Sequence, residues 1–148
     1  MTSDIRFDFE GSLALARQLW TLADTISDLS NSRRDMAANA AREWKGPLGK
    51  EFRERIVDDR NDLLRDAQQL RLGAMAWAEA YAKSVDEQNT RSYTREHARV
   101  AKLREDRSVL KDVVAAIGFD DLPLPKAQPK CPVPKSPNFA ATGSVKKY

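Results

Sequence analysis

Three things are missing from these 148 residues: an apolar run long enough to cross a bilayer, a second cysteine and a second histidine. The first absence excludes insertion as a membrane-spanning helix. With Cys131 alone there is no intramolecular disulfide and no thiolate metal cluster, and a passive role is the simplest one for a lone tail thiol. His97 stands in a basic stretch without another His or Cys at ligand spacing, so it is expected as a solvated helix-surface residue and metal catalysis finds no support. The six glycines are scattered and form neither a phosphate loop nor a dinucleotide fingerprint. Residues 1–10 carry Asp4, Asp8 and Glu10 where a secretory signal peptide has a basic start and an apolar centre, so export by the general route is not expected.

What is abundant is charge, unevenly placed. Residues 1–89 hold 13 Lys/Arg against 16 Asp/Glu, whereas residues 90–148 hold 12 against 6. That asymmetry suggests a packed unit followed by a basic part with different partners. Adjacent carboxylates occur at Asp58-Asp59, Asp86-Glu87, Glu105-Asp106 and Asp120-Asp121. Neighbouring helical side chains diverge by about 100°, and Arg or Lys residues interleave each pair, so these are expected as salt-bridged, solvated faces rather than catalytic groups. No enzyme, metal or cofactor is expected.

Apolar residues at Leu15, Leu19, Leu22, Ile26, Leu29, Met36 and Ala40 step by three, four or seven, a helical stripe in which Arg33 can lay its aliphatic stem along the seam. Ser12 is expected to cap this helix, since its hydroxyl can accept from a first-turn N–H. Trp44-Lys45-Gly46-Pro47 supplies the stop: Gly46 can take the left-handed conformation that closes a helix, and Pro47 suits the first turn of the next. A second stripe runs through Phe52, Ile56, Leu63, Ala67, Leu70, Ala74, Trp77, Tyr81 and Val85, with Arg60 in register. Two amphipathic helices of similar length joined by a tight turn pack antiparallel.

After Asn89 the stripe resumes at Val100, Leu103, Leu110, Val114 and Ile117, with Gly118 as a cap. A break or bend near residues 89–92 is expected, making this a third, basic helix. Six of the seven prolines then fall between Pro123 and Pro137, which excludes helix and sheet ladders and predicts an extended, disordered arm. The fold class is all-α, in three parts: a helical hairpin over 1–89, a basic helical extension over 90–118 and a Pro/Lys-rich tail over 119–148.

Trp44 carries a large indole at a helix end, where leaving it in water is costly. It is expected to pack against Phe52 or to form a lip that a partner covers. A two-helix hairpin buries only a narrow seam, seldom enough to offset conformational entropy, so pairing with a second hairpin into a four-helix bundle is expected. The seam assigned to core or dimer contact is Leu15, Leu19, Leu22, Ile26, Leu29, Phe52, Ile56, Leu63, Leu70 and Trp77.

Trp44-Lys45-Gly46 at mid-hairpin, Pro47, Phe52-Arg53, and the aromatic finish Trp77 to Asp86 together resemble one family. It is the small Trp-x-Gly helical hairpins exported by type VII secretion systems of Gram-positive bacteria, especially actinobacteria. The resemblance covers about residues 9–90. It implies a non-enzymatic export substrate or its pairing partner, acting as a homodimer or heterodimer with a similar hairpin and meeting a secretion-system ATPase or chaperone. It would be cytoplasmic before export and secreted or cell-surface afterwards. In this family the export signal is a tyrosine followed four residues later by an acid. Here Tyr81 is followed at that distance by Val85, with Asp86 one position late, a shift of about 100° around a helix. The chain also adds a basic segment and a proline-rich arm beyond the family's usual end.

Two other readings come from the residues. Arg91, Arg95, Arg99, Lys102, Arg104 and Arg107, followed by a Lys-rich tail, fit a basic helical nucleic-acid-binding protein, although acids interleave the helix and no recognition motif is present. A cytoplasmic adaptor or chaperone that is never exported would keep the same fold.

Overall fold

In a computed structural model describing residues 3–109 and 123–146, with the side chains of 107–109 left aside, the chain is two helices and an ordered non-helical tail. Helix α1 spans Phe9–Ala40, a 3-10 turn Ala41–Glu43 follows, and helix α2 spans Pro47–Val109. No strand occurs among the described residues. Asp8, not Ser12, caps α1: its extended backbone frees the carboxylate to accept from the Gly11 N–H at 2.8 Å. An acid there also suits the positive end of the helix dipole. Ser12 lies a turn inside, buried, its hydroxyl donating to the Phe9 carbonyl.

The reversal forms where Trp44-Lys45-Gly46-Pro47 was expected to place it. Gly46 takes φ +91°, a conformation that costs a residue with a Cβ. Gly49 is needed for a different reason: a Cβ there would sit 2.6 Å from the Trp44 carbonyl oxygen. Arg53 closes the end of the hairpin by donating to the carbonyls of Trp44 at 3.1 Å and of Ala41 at 3.5 Å, the second of which also accepts from the Trp44 N–H at 3.1 Å.

The helices are unequal. At about 1.5 Å per residue, α1 is about 48 Å long and α2 about 95 Å. The expected break at 89–92 is absent, so residues 90–109 extend α2 and are not a separate third helix. The polarity of that stretch has another cause. Gln88 is buried and accepts from the Ile5 N–H at 2.8 Å while donating to Asp4 at 2.7 Å, which ties the chain's first residues to α2. Leu110, Val114, Ile117 and Gly118 lie outside the described residues.

The antiparallel seam is lined by small residues: Ala16, Ala23 and Ser30 of α1, seven apart, face Ala67, Ala74 and Ala78 of α2, all essentially inaccessible. Small side chains on the line of contact let the two backbones approach closely, and larger apolar residues flank it. Leu15, Leu19, Ile26, Phe52, Ile56, Leu63 and Leu70 are half-buried flanking residues of this kind. Leu22, Leu29 and Met36 lie farther round the helix and are exposed, as is Trp77. The α1 stripe read from large side chains was therefore centred beside the true seam.

The tail corrects a second expectation. Prolines do keep residues 123–146 out of helix and strand, but the segment is not a disordered arm: it lies along the free end of the hairpin. Phe139 is wholly buried among Leu13, Ala16, Ala74, Ala78, Tyr81 and Val85, with its ring edge-on to Trp20 at 5.7 Å. Proline restricts the unfolded chain, so ordering such a segment costs less entropy than its length suggests.

Candidate functional site

Tyr81 and Asp86 lie about 140° apart around α2, and the tail covers both. The Tyr81 ring packs edge-on to Phe9 at 6.2 Å, and its hydroxyl donates to the Gly143 carbonyl at 2.6 Å. Burial raises the phenol above its ordinary pKa, and the nearby Cys131 adds to this. Asp86 accepts from the backbone N–H of Cys131 at 2.6 Å. Val85, at the position where the resembled family carries its acid, is 1% exposed and belongs to the core. The one-residue offset therefore separates a core residue from a carboxylate that faces the tail.

Asn89 completes the contact. Its amide donates to the Ser144 carbonyl at 3.2 Å, and its oxygen accepts from the Lys146 N–H at 2.9 Å, so one buried side chain meets the tail on both of its polar atoms. From α1, Arg17 donates to the carbonyls of Asn138 at 2.9 Å and Phe139 at 3.4 Å. Between Ala141–Val145 and the helices lies a cleft of about 590 Å³, bordered by Phe9, Leu13, Arg17, Tyr81 and Val85. This stretch of tail is held by hydrogen bonds more than by close packing. Asn89, Phe139 and Arg17 carry no motif. The one signal that could have pointed to an anchor is Phe139, the single aromatic between Pro123 and Lys146.

At the other end, Trp44 stacks obliquely on Phe52 at 5.1 Å yet remains 53% exposed. The expected partner in the hairpin is thus present, while half of the indole surface is open to solvent. Leu22 at 48%, Leu29 at 57% and Met36 at 66% exposure form a row of seven-residue steps along α1. Helical geometry sets this row, with Trp77, on the flank opposite to that covered by the tail, where Trp20, Asp24 and Arg71 also lie.

The basic run on α2 is largely engaged. Arg91 pairs with Glu87 and donates to the Ser3 carbonyl, Arg95 pairs with Asp4, and Arg99 pairs with Glu96, holding that carboxyl below its usual range. His97 is half-buried beside the Tyr93 ring at 5.7 Å, not fully solvated as expected. Asp86 and Glu87 turn to different partners, the tail and Arg91, and do not act as a pair. Among the described residues no group of three or more His, Cys, Asp or Glu is placed to hold a metal ion, and no described helix is long and apolar enough to cross a membrane. Cys131 is a free, half-buried thiol packed at the edge of the core.

Comparison with family models, curated proteins and solved structures finds no match.

Proposed function

We propose that this chain is a non-enzymatic substrate of a type VII secretion system, or the pairing partner of one, and that it works by packing against a second helical hairpin. The observation that carries this reading is the row Leu22, Leu29 and Met36, exposed on a hairpin closed by Trp44-Lys45-Gly46. Apolar side chains at seven-residue steps on an open helix flank are what a bundle partner covers. A half-exposed Trp44 at the turn fits an edge that pairing or a chaperone would bury. In this reading Tyr81 and Asp86 form the export signal, and the chain is cytoplasmic until it leaves the cell.

The nucleic-acid reading draws less support, because Arg91, Arg95 and Arg99 already pair with carboxylates and would have to give these up to meet phosphates. Light scattering on the eluting peak, for the chain alone and co-expressed with products of adjacent genes, tests the proposal. A stable pair is expected, and Leu22→Glu with Leu29→Glu should dissociate it. A well-folded monomer at tens of micromolar that ignores its neighbours would refute it.

A further inference from the structure

The two residues assigned to the export signal are both hydrogen-bonded to the chain's own tail, through Gly143 and Cys131. We propose that residues 131–146 are a detachable strap that shields the Tyr81–Asp86 surface, so that a partner reads this surface only after the strap has lifted. The proposal rests on the secretion reading for the identity of the surface, whereas the strap itself rests on contacts independent of it.

Three features make the segment a strap and not a third layer of core. Among the described residues its buried apolar hold is confined to two side chains, Pro134 and the wholly inaccessible Phe139. Phe139 keeps its place with φ +41°, a backbone conformation that bulky residues avoid and that surrounding contacts must sustain. Lifting the segment relieves that strain. Beyond Phe139 the segment spans the cleft under Ala141–Val145 and is fastened by polar groups, at Tyr81 and at both ends of the Asn89 amide. Water replaces such bonds at small net cost, unlike a packed apolar layer.

The hairpin below does not depend on the strap for its backbone hydrogen bonds, since both helices are continuous through this region. Once lifted, the strap uncovers the Tyr81 hydroxyl, the Asp86 carboxylate and the apolar patch around Leu13 and Val85 together. A hydroxyl donor, an anion and an apolar patch shared by the two helices are what a protein partner can recognise, and a partner that binds them must outcompete a tethered ligand. Regulation by the strap is thus a competition for one surface.

The full-length chain carries its own reporter, because Cys131 sits within the strap. Asn89→Ala removes two strap bonds without touching Tyr81 or Asp86, and Phe139→Ala removes the anchor. Reaction of Cys131 with a maleimide is expected to quicken about tenfold in Asn89→Ala, as the loss of two hydrogen bonds implies, and more in Phe139→Ala, with helical circular dichroism retained. Both variants are expected to leave a type VII-competent actinobacterial strain several-fold more efficiently than the unaltered chain. Unchanged thiol reactivity in both variants overturns the strap. Faster labelling with no gain in export, when the unaltered chain is exported, overturns shielding and leaves the secretion reading standing. If neither the unaltered chain nor a labelling-fast variant is exported while a control hairpin substrate is, the secretion reading falls and shielding falls with it. Should Phe139→Ala fail to fold, Asn89→Ala alone decides between these outcomes.

Discussion

Replacing Phe139 by alanine should loosen the tail and spare the helices. An aromatic side chain buries about 150–250 Å², and its truncation in a packed core costs about 3–5 kcal/mol. Alanine carries the same Cβ into the same positive-φ backbone, so the strain remains and offsets nothing. The loss falls on docking of the tail and cannot exceed the docking free energy, because once the tail has lifted the missing ring no longer matters. At about 1.4 kcal/mol per factor of ten, a 3 kcal/mol loss raises the lifted population about a hundredfold. The reporters are the Phe139 amide, bonded to the Lys135 carbonyl at 2.9 Å, and the Lys146 amide, bonded to Asn89. Native-state hydrogen exchange should show protection at both falling about a hundredfold, while amides around Ala67 and Ala74 keep theirs. An equal fall throughout the chain would refute the reasoning, because it would make tail and hairpin one cooperative unit.

Gly49→Ala forces a Cβ to within 2.6 Å of the Trp44 carbonyl oxygen, a backbone atom that cannot swing aside. A cost of about 1–3 kcal/mol is expected, read as a melting temperature lower by about 2–4 °C per kcal/mol; an unchanged value would mean that the turn opens freely. Trp44→Ala should cost about 1–2 kcal/mol, well short of the 3–5 kcal/mol of a fully buried indole, because half of the ring already faces solvent. Chemical denaturation measures it, and a loss above about 3 kcal/mol would show the ring to be covered in solution. Tyr81 makes the tail sensitive to alkali. Its raised pKa means that the folded state holds the phenolic proton more tightly than the unfolded state. The stabilisation is complete below the ordinary tyrosine value of about 10 and is lost as pH rises through the higher folded value. Thiol reactivity compared at matched thiolate fraction should rise there, and Tyr81→Phe should abolish the step; a step that survives in Tyr81→Phe belongs to another group.

Sequence reasoning succeeded where a local rule had a single physical solution and failed where the outcome depended on distant partners. Gly46 followed by Pro47 admits little but a helix reversal, and the α2 stripe from Phe52 to Val85 was legible because it took in the seam residues Ala67 and Ala74 together with the large residues that flank them, Trp77 apart. On α1 the seam is made of Ala16, Ala23 and Ser30, which carry almost no hydrophobic signal, so Leu22, Leu29 and Met36 drew the stripe toward themselves. Gln88, Asn89 and Ser92 looked like a polar break, yet they are buried polar residues, two of them satisfied by segments more than 50 positions away. Proline content forecast the absence of regular structure in the tail, but absence of a ladder is not absence of order, and Phe139 decides the difference. Tyr81 and Asp86 could be named from the sequence, but not the tail that bonds to both.

The described part of the tail lies along the free end of the hairpin, and this leaves the hairpin's two halves differently supported. Around Tyr81 and Phe9 there are three layers: two helices and the tail. Toward the turn the described residues supply two helices only, with Ser30 buried without a hydrogen-bond partner for its hydroxyl among them. A groove of about 220 Å³ runs there between Ser30, Ala37, Phe52 and Leu63, and Leu29, Met36, Leu48 and Val57 are exposed. A two-layer helical pair is marginal by itself. If a second hairpin supplies the missing layer, protection against hydrogen exchange in residues 26–63 rises with protein concentration, as mass action requires, while protection in residues 74–89 stays level. Were both halves equally protected at every concentration, the turn half would need no partner, and the exposed row on α1 would lose its claim to be a pairing surface.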